Sequence, residues 1–455
     1  MQDNRAVLSR VLGRTDVMAI GFGTIIGWSW VMMSASWITG AGFLGAIIAF
    51  IIGGLLVLLI GFTYGELTAA LPLSGGEYVF AHRAFGKRAA FITGWIMVIA
   101  YLGVAAWEGI ALATALDYIF PIPKAIPLWE ISGYQVHLSW AVIGVTGILL
   151  VMIMNLFGAK SAVLFQVLAT AAIVVVVMVI FFGGISLGDT ENIGDMFTDT
   201  KGFFYVLFMV PAMLIGFDVI PQSAEEMNIP RAEIGRMISV CIALGILWYL
   251  VLIIGIGLAA PVEIRSSGVA PTADVAGALF GGDAFANVVI IGGILGIMTT
   301  WNGFFMGATR LIYAMGRSGA LPKIFARLSH RHRVPWVAIC FVGFFCMSAP
   351  FLGKNALLWL VDISSLCALI AYSLVAIAAV VIRRREPDLE RPFSMGKSLL
   401  LPVAVAVLAT GYCLADIIYI MSFPVAMPEL IILSIWLLTG LCLYFLSRGG
   451  ADIEE

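Results

Sequence analysis

Twelve stretches of this chain are each apolar for long enough to cross ~30 Å of hydrocarbon as a helix. They cover about residues 16–38, 43–68, 90–119, 138–157, 161–186, 203–222, 236–260, 286–314, 335–351, 356–382, 398–422 and 428–447. Such a succession leaves little choice of fold. In lipid, every backbone N–H and C=O needs a partner within the protein, so each stretch must become a helix that satisfies itself. Composition agrees, with 62% of the 455 residues hydrophobic and 11% charged, against about 25% charged in a soluble domain. The expected fold is an all-α integral membrane protein of twelve transmembrane helices. No polar linker is long enough to divide it, so residues 1–455 read as a single transmembrane domain.

Basic residues orient it. Placing the N-terminus in the cytoplasm puts 21 of the 25 Lys and Arg on the cytoplasmic side, leaving Lys124, Lys201, Arg265 and Lys354 outside. The positive-inside rule then predicts a multi-pass protein of the inner (plasma) membrane with both termini cytoplasmic. The first residues are polar and basic, and the first apolar stretch is too long for a secretory leader, so no cleaved leader is expected. The six cysteines lie in or beside apolar stretches with no CxxC pair, which points to packing and to no metal or cofactor. A net charge of −2 without a basic, aromatic-interleaved patch gives no reason to expect nucleic acid. The connections at 120–137 and 187–202 read as turns. That at 315–334 contains Leu321-Pro322-Lys323-Ile324-Phe325-Ala326-Arg327, spaced for a short helix at the cytoplasmic interface.

Two stretches are built to break. The first carries Gly21, Gly23 and Gly27, and the sixth carries Gly216 between Pro211 and Pro221. Glycine costs about 1 kcal/mol in a helix interior and proline removes a backbone bond. The sixth also holds Asp218, and a charge at mid-membrane costs several kcal/mol, roughly 2.5–3.5 on insertion scales. Interruptions in corresponding members of two five-helix halves are the sequence signature of an inverted-repeat transporter with its site at the midplane. Glu108, beside Trp107 in the third stretch, is a second buried carboxyl candidate. Packing roles compete for each: glycines permit close helix contact, and a carboxylate can serve only to accept N–H bonds at a break. Asp362 and Asp416 read as packing or gating residues away from substrate.

Four motifs carry a resemblance. Tyr64-Gly65-Glu66-Leu67 precedes Leu71-Pro72-Leu73-Ser74-Gly75-Gly76-Glu77-Tyr78 and Arg83-Ala84-Phe85-Gly86. Gly216-Phe217-Asp218 runs into Ala224-Glu225-Glu226-Met227-Asn228-Ile229-Pro230-Arg231. Ala308-Thr309-Arg310-Leu311-Ile312-Tyr313-Ala314-Met315-Gly316-Arg317 closes the eighth stretch, and Arg383-Arg384-Arg385-Glu386-Pro387-Asp388 the tenth. In order and spacing these resemble the amino acid–polyamine–organocation (APC) superfamily permeases. The resemblance implies a leucine-transporter-like 5+5 inverted repeat, with 1–186 the first repeat, 203–382 the second, and two accessory helices over 398–447. It also implies alternating access without ATP.

By the same resemblance, Ile25, Ile26, Gly27, Trp28 and Ser29 offer backbone N–H groups to a substrate carboxylate. Met213, Leu214, Ile215 and Gly216 offer carbonyls to its ammonium. Asp218 and Glu108 stand beside them, and Trp301 would cap the ligand. Trp28 departs from the family's small residue there, so either its indole points away or the pocket is narrow. Arg83, Glu225, Glu226, Arg231 and Arg310 (with Arg317) are the expected cytoplasmic gate. The expected partners are a small amino acid or amine, a coupling cation and the lipid bilayer. No lysine occupies the fifth stretch where some proton-coupled relatives place one. Three possibilities stand: proton coupling through Asp218 or Glu108, sodium at carbonyls with Thr299 and Thr300, or uncoupled exchange. Proton coupling is the expectation. An enzyme is not expected: the four histidines sit at stretch ends or in loops, and no HExxH, GxSxG or GxxxxGK[ST] pattern occurs.

Overall fold

The structure is a computed structural model that describes residues 8–266, 268–421 and 427–447; Arg5 and Arg448, counted above for orientation, lie outside them. Among the described residues, ten helices are long and apolar enough to cross a membrane: Arg14–Met32, Phe43–Ala70, Lys87–Ile119, Leu138–Leu156, Lys160–Leu187, Arg231–Ala259, Asp283–Arg317, Ala356–Arg385, Leu400–Met421 and Met427–Leu446. The sixth and ninth apolar stretches form the shorter helices Thr200–Met213 and Trp336–Leu352. The sixth is short for a local reason. Its helix stops at the break before Gly216, and 14 residues at 1.5 Å each span only ~21 Å.

The first stretch breaks as well. A helix over Arg14–Ile25 ends where Ile26 leaves helical geometry (φ −90°, ψ 58°), and helix resumes over Ser29–Met32 and Ser34–Ala41. In the sixth, residues Leu214–Asp218 separate Thr200–Met213 from a short turn of helix, Val219–Gln222. The two breaks face each other. Gly216 holds φ 128°, and a Cβ there would stand 2.9 Å from the Thr24 carbonyl carbon. A side chain would be strained and would also push the two backbones apart.

Around this crossing, Lys87–Ile119 packs against Asp283–Arg317 and Ala356–Arg385, while Arg231–Ala259 packs against Phe43–Ala70. The largest fully buried side chains gather there, among them Trp28, Trp30, Trp37, Trp301, Tyr64, Tyr101, Tyr249 and Tyr372. The last two helices lie outside, exposing Val407, Ile418, Ile435 and Phe445. Met427–Leu446 is pinned by a stack of Trp95 on Trp436, centroids 4.2 Å apart. Each indole N–H donates to the other residue's carbonyl, at 3.0 and 3.1 Å.

Two connections differ from the sequence reading. Residues 120–137, read as turn, contain an antiparallel hairpin, Pro127–Ile131 with Tyr134–His137. Ser132 (φ 50°) and Gly133 (φ 77°) make its two-residue turn, the positive-φ pair that matches strand twist. The short interfacial helix is a single 3-10 turn, Lys323–Ala326, with Phe325 buried and Ile324 exposed. Below, the end of the bundle holding Arg14, Arg83, Arg317 and Arg383 is called the basic end.

Candidate functional site

A cavity opens at the paired breaks. Thr24, Ile25, Gly27, Trp28 and Ser29 line it from the first stretch, Ala212, Met213 and Ile215 from the sixth, Thr300 and Phe304 from the eighth. Val104 and Trp107 face it from the third, and Leu357, Leu358, Val361, Ser364 and Ser365 from the tenth. Met32 and Met33 line it on the side away from the basic end. Among the described residues no charged side chain lines its wall.

Each break exposes backbone groups that a helix end leaves without intrahelical partners. Several are captured by side chains from other elements. The Tyr249 hydroxyl lies 3.0 Å from the Met213 carbonyl oxygen, 3.2 Å from that of Ile25 and 3.2 Å from Ser29 Oγ. It ties one break to the other: its single proton goes to a carbonyl, and it can accept from Ser29. Thr300 Oγ1 donates to the Thr24 carbonyl at 3.2 Å. Sequence reasoning missed Tyr249; its trace was one of only two hydroxyls, with Ser239, in the apolar seventh stretch.

The predicted residues divide. Ile25, Gly27, Trp28, Ser29, Met213, Ile215 and Thr300 meet at the cavity, whereas Ile26, Leu214 and Gly216 are buried in the breaks without lining it. The Trp28 six-membered ring fills the space where Gly293 has no side chain, so much of the indole is stowed against the eighth helix. Trp301 is fully buried with its ring against Gly147, and Phe304, one turn on, takes the place at the cavity wall. Thr299 Oγ1 donates to the Gly296 carbonyl at 3.0 Å, and its own carbonyl accepts from Gln166 Nε2.

Neither carboxyl touches the cavity. Glu108 is fully buried with neither oxygen hydrogen-bonded. Asp218 is fully buried on the basic-end side of the break, where Oδ1 accepts from the Gly216 N–H at 2.8 Å and Oδ2 is unpartnered. Asp218 thus stabilises the break as a local acceptor for an orphan amide.

The basic end is closed by ion pairs. Arg310 and Glu226 form a bidentate pair (2.7 and 3.2 Å) with both side chains buried. Arg317 grips Glu225 at 2.6 and 2.8 Å, and Glu225 also accepts from the Ser74 N–H. Arg83 pairs with Glu386 at 2.8 and 2.9 Å, and Glu66 is held by Arg383 and Arg391. The Glu226 carbonyl accepts from the Val11 and Leu12 N–H groups, stitching the N-terminal segment across the same face. Arg231 is exposed at the start of Arg231–Ala259. Glu386, Arg383 and Glu66 extend this lock beyond the residues expected from sequence.

The sequence profile described as "Amino acid permease" matches residues 12–444. Among similar proteins, the methylthioribose transporter of Bacillus subtilis is 26% identical over 98% of this chain and 95% of its own length. The branched-chain amino acid permease BcaP of the same organism is 26% identical with the same coverage. Its aspartate-proton symporter is 26% identical over 86% of this chain and 76% of its own. With a match across nearly the whole chain, and with multiple apolar helices around two broken ones, this protein belongs to the amino acid permease family of the APC superfamily, a family of membrane transporters.

Proposed function

We propose that this chain is a secondary transporter of a small apolar amino acid, working by alternating access in the inner membrane with both termini cytoplasmic. One observation carries the reading. The cavity offers backbone dipoles at its breaks for a zwitterion's two ends, while Met32, Met33, Val104, Phe304 and Val361 are among the apolar residues of a wall whose other polar groups are uncharged hydroxyls. A half-helix start presents N–H groups and positive dipole to a carboxylate, and a half-helix end presents carbonyls to an ammonium. An apolar side chain then fills the remainder. A polyamine or a dicarboxylate would have to leave its extra charge without a partner, so the wall argues against the amine alternative.

The twelve-helix count supports this reading if Thr200–Gln222 and Trp336–Leu352 each cross despite their length. The breaks then fall in the first helix of each repeat, 1–186 and 203–382. The basic end becomes cytoplasmic, and its ion pairs make the described state outward-facing. Coupling is assigned to protons, because Glu108 and Asp218 are fully buried carboxyls with unpartnered oxygens.

Reconstitution into liposomes tests it. Labelled L-valine or L-leucine should accumulate when the lumen is alkaline relative to the outside, with no requirement for sodium. Accumulation of putrescine or arginine instead would overturn the substrate class, and accumulation only with sodium would overturn the coupling. A second reading has one observation behind it: a wall free of charge and rich in methionine also suits an uncharged thioether ligand, as the name of one relative suggests. Competition of valine uptake by methylthioribose decides between them.

A further inference from the structure

Beneath the cavity, between the breaks and the ion-paired end, lies a buried polar cluster that the transport site does not use. Its centre is Glu77, on the ten-residue helix Gly76–Phe85 that connects two membrane helices and tucks back under the bundle. Glu77 is fully buried. Its Oε2 accepts from Gln222 Nε2; the same amide nitrogen lies 3.3 Å from the Tyr101 hydroxyl, which donates to the Asp218 carbonyl at 3.1 Å. A polar chain thus runs from Glu77 to the residue at the sixth-stretch break. Tyr64 and Tyr372 meet edge-on, ring centroids 5.6 Å apart, and both pack against Phe217 beside Asp218. Glu77 Oε1, Asp218 Oδ2 and both tyrosine hydroxyls fall short of hydrogen-bond geometry.

The charges around Glu77 can be followed element by element. The second helix presents Tyr64, the third Tyr101, the sixth Asp218 and the neutral Gln222, and the tenth Tyr372. Cations on the packed helices are committed elsewhere: Arg310 to Glu226, Arg317 to Glu225, Arg383 to Glu66, and Arg385 to the Ala84 carbonyl. Among the described residues no ion pair joins a cation to Glu77 or to Asp218. Two ionised carboxylates in such a place would be uncompensated buried charges, and like charges at close range cannot both ionise cheaply. Among the described residues no cluster of three or more metal-ligating side chains exists to hold a metal ion instead. Burial, and then the charge of Asp218, push the Glu77 carboxyl up to about 8.

We propose that Glu77 and Asp218 form a carboxyl dyad that holds a single proton between them, and that Glu77 is the member through which this proton passes to and from the basic end. Asp218 adjoins the substrate break. Glu77 lies three residues from Ser74, whose N–H donates to the Glu225 carboxylate of the partly exposed Arg317–Glu225 pair. When the ion pairs part, water reaches Glu77 first. The proton leaves its carboxyl for that water, and the dyad is left with two negative charges that draw in the next proton. The proton is conserved and no other bond forms or breaks. This deepens the proton-coupled reading above and rests on it for its transport consequence.

Infrared titration of the purified full-length chain tests the dyad without any substrate. The C=O band of a protonated carboxyl should persist at neutral pH, fade as pH rises past about 8, and be absent from this titration in Glu77→Gln. In Asp218→Asn, which keeps Glu77, the midpoint should fall by about one pH unit, a tenfold loss of proton affinity, as a like charge is removed. An unmoved midpoint, or loss of the band on replacing choline by sodium, overturns the dyad; the second result would assign a bound cation. If Glu77→Gln does not fold, Asp218→Asn and Glu77→Asp carry the test. In liposomes, Glu77→Gln should keep valine counterflow but lose proton-driven accumulation, whereas full accumulation would remove Glu77 from the path. A wild-type protein that accumulates no amino acid sinks the transport reading and leaves the infrared result to judge the dyad.

Discussion

At the scale of single residues, several buried polar groups serve the two breaks. Tyr249 is the clearest case, because one hydroxyl lies within hydrogen-bond distance of a carbonyl from each broken helix. Tyr249→Phe removes it and leaves a buried carbonyl short of a partner, at about 1–3 kcal/mol. A lower melting temperature and weaker valine binding are expected together; unchanged values of both would mean that neither break needs the tie. Asp218→Asn keeps an acceptor for the Gly216 amide but discards the charge, so folded protein with severely slowed transport is expected, and near-normal uptake would take Asp218 out of the mechanism. Glu77 makes the pH prediction. Its carboxyl is raised from an ordinary 4.5 to about 8 by burial and by Asp218, so the folded state holds a proton that the unfolded chain releases. Its contribution to stability is fully present below about pH 4.5 and is lost as pH rises through about 8. Thermal stability of the wild type should therefore decline over that window, and the Glu77→Gln variant should show a flatter profile.

At the scale of elements, helix propensity names the place of each break and tertiary contact sets its shape. Gly216 has no alternative: φ of 128° combines with backbone contact to Thr24. Gly216→Ala is expected to cost about 1–3 kcal/mol from strain alone and more from separating the two stretches. The measurement is the unfolding midpoint together with uptake, and an alanine variant that behaves as wild type would mean the crossing is looser than described. Gly293 shows a different use of glycine. It leaves room for the Trp28 indole, which reconciles a bulky residue at the first break with an open cavity. The eighth helix likewise presents Phe304 to the cavity and buries Trp301 against Gly147. Both aromatics lie on one helix three residues apart, and only the packing partners decide which faces the cavity.

At the scale of the whole molecule, one end is locked and the cavity lies on the far side of the lock. Arg310–Glu226 is the most deeply buried pair of the lock. Breaking a buried pair by removing one partner's charge costs about 3–5 kcal/mol, because the other is left uncompensated. Glu226→Gln should therefore weaken the closed state and speed backbone hydrogen exchange over residues 219–228. Exchange as slow as in the wild type would show that Glu225, Glu386 and Glu66 hold this end without it.

The sequence alone determined the membrane class, the polarity of charge along the chain and the location of both breaks. Each is written in local chemistry: runs of apolar residues, arginines at their ends, and glycines beside a lone aspartate. It could not separate Glu77 from a surface glutamate, since its neighbours in sequence are ordinary loop residues and its burial comes from elements far along the chain. Nor could it tell that Asp218 and Glu108 stand off the cavity, that Trp301 turns away, or that Tyr249 joins the breaks. Those facts depend on helix rotation and on contacts between residues more than a hundred positions apart. Only the packed fold fixes them.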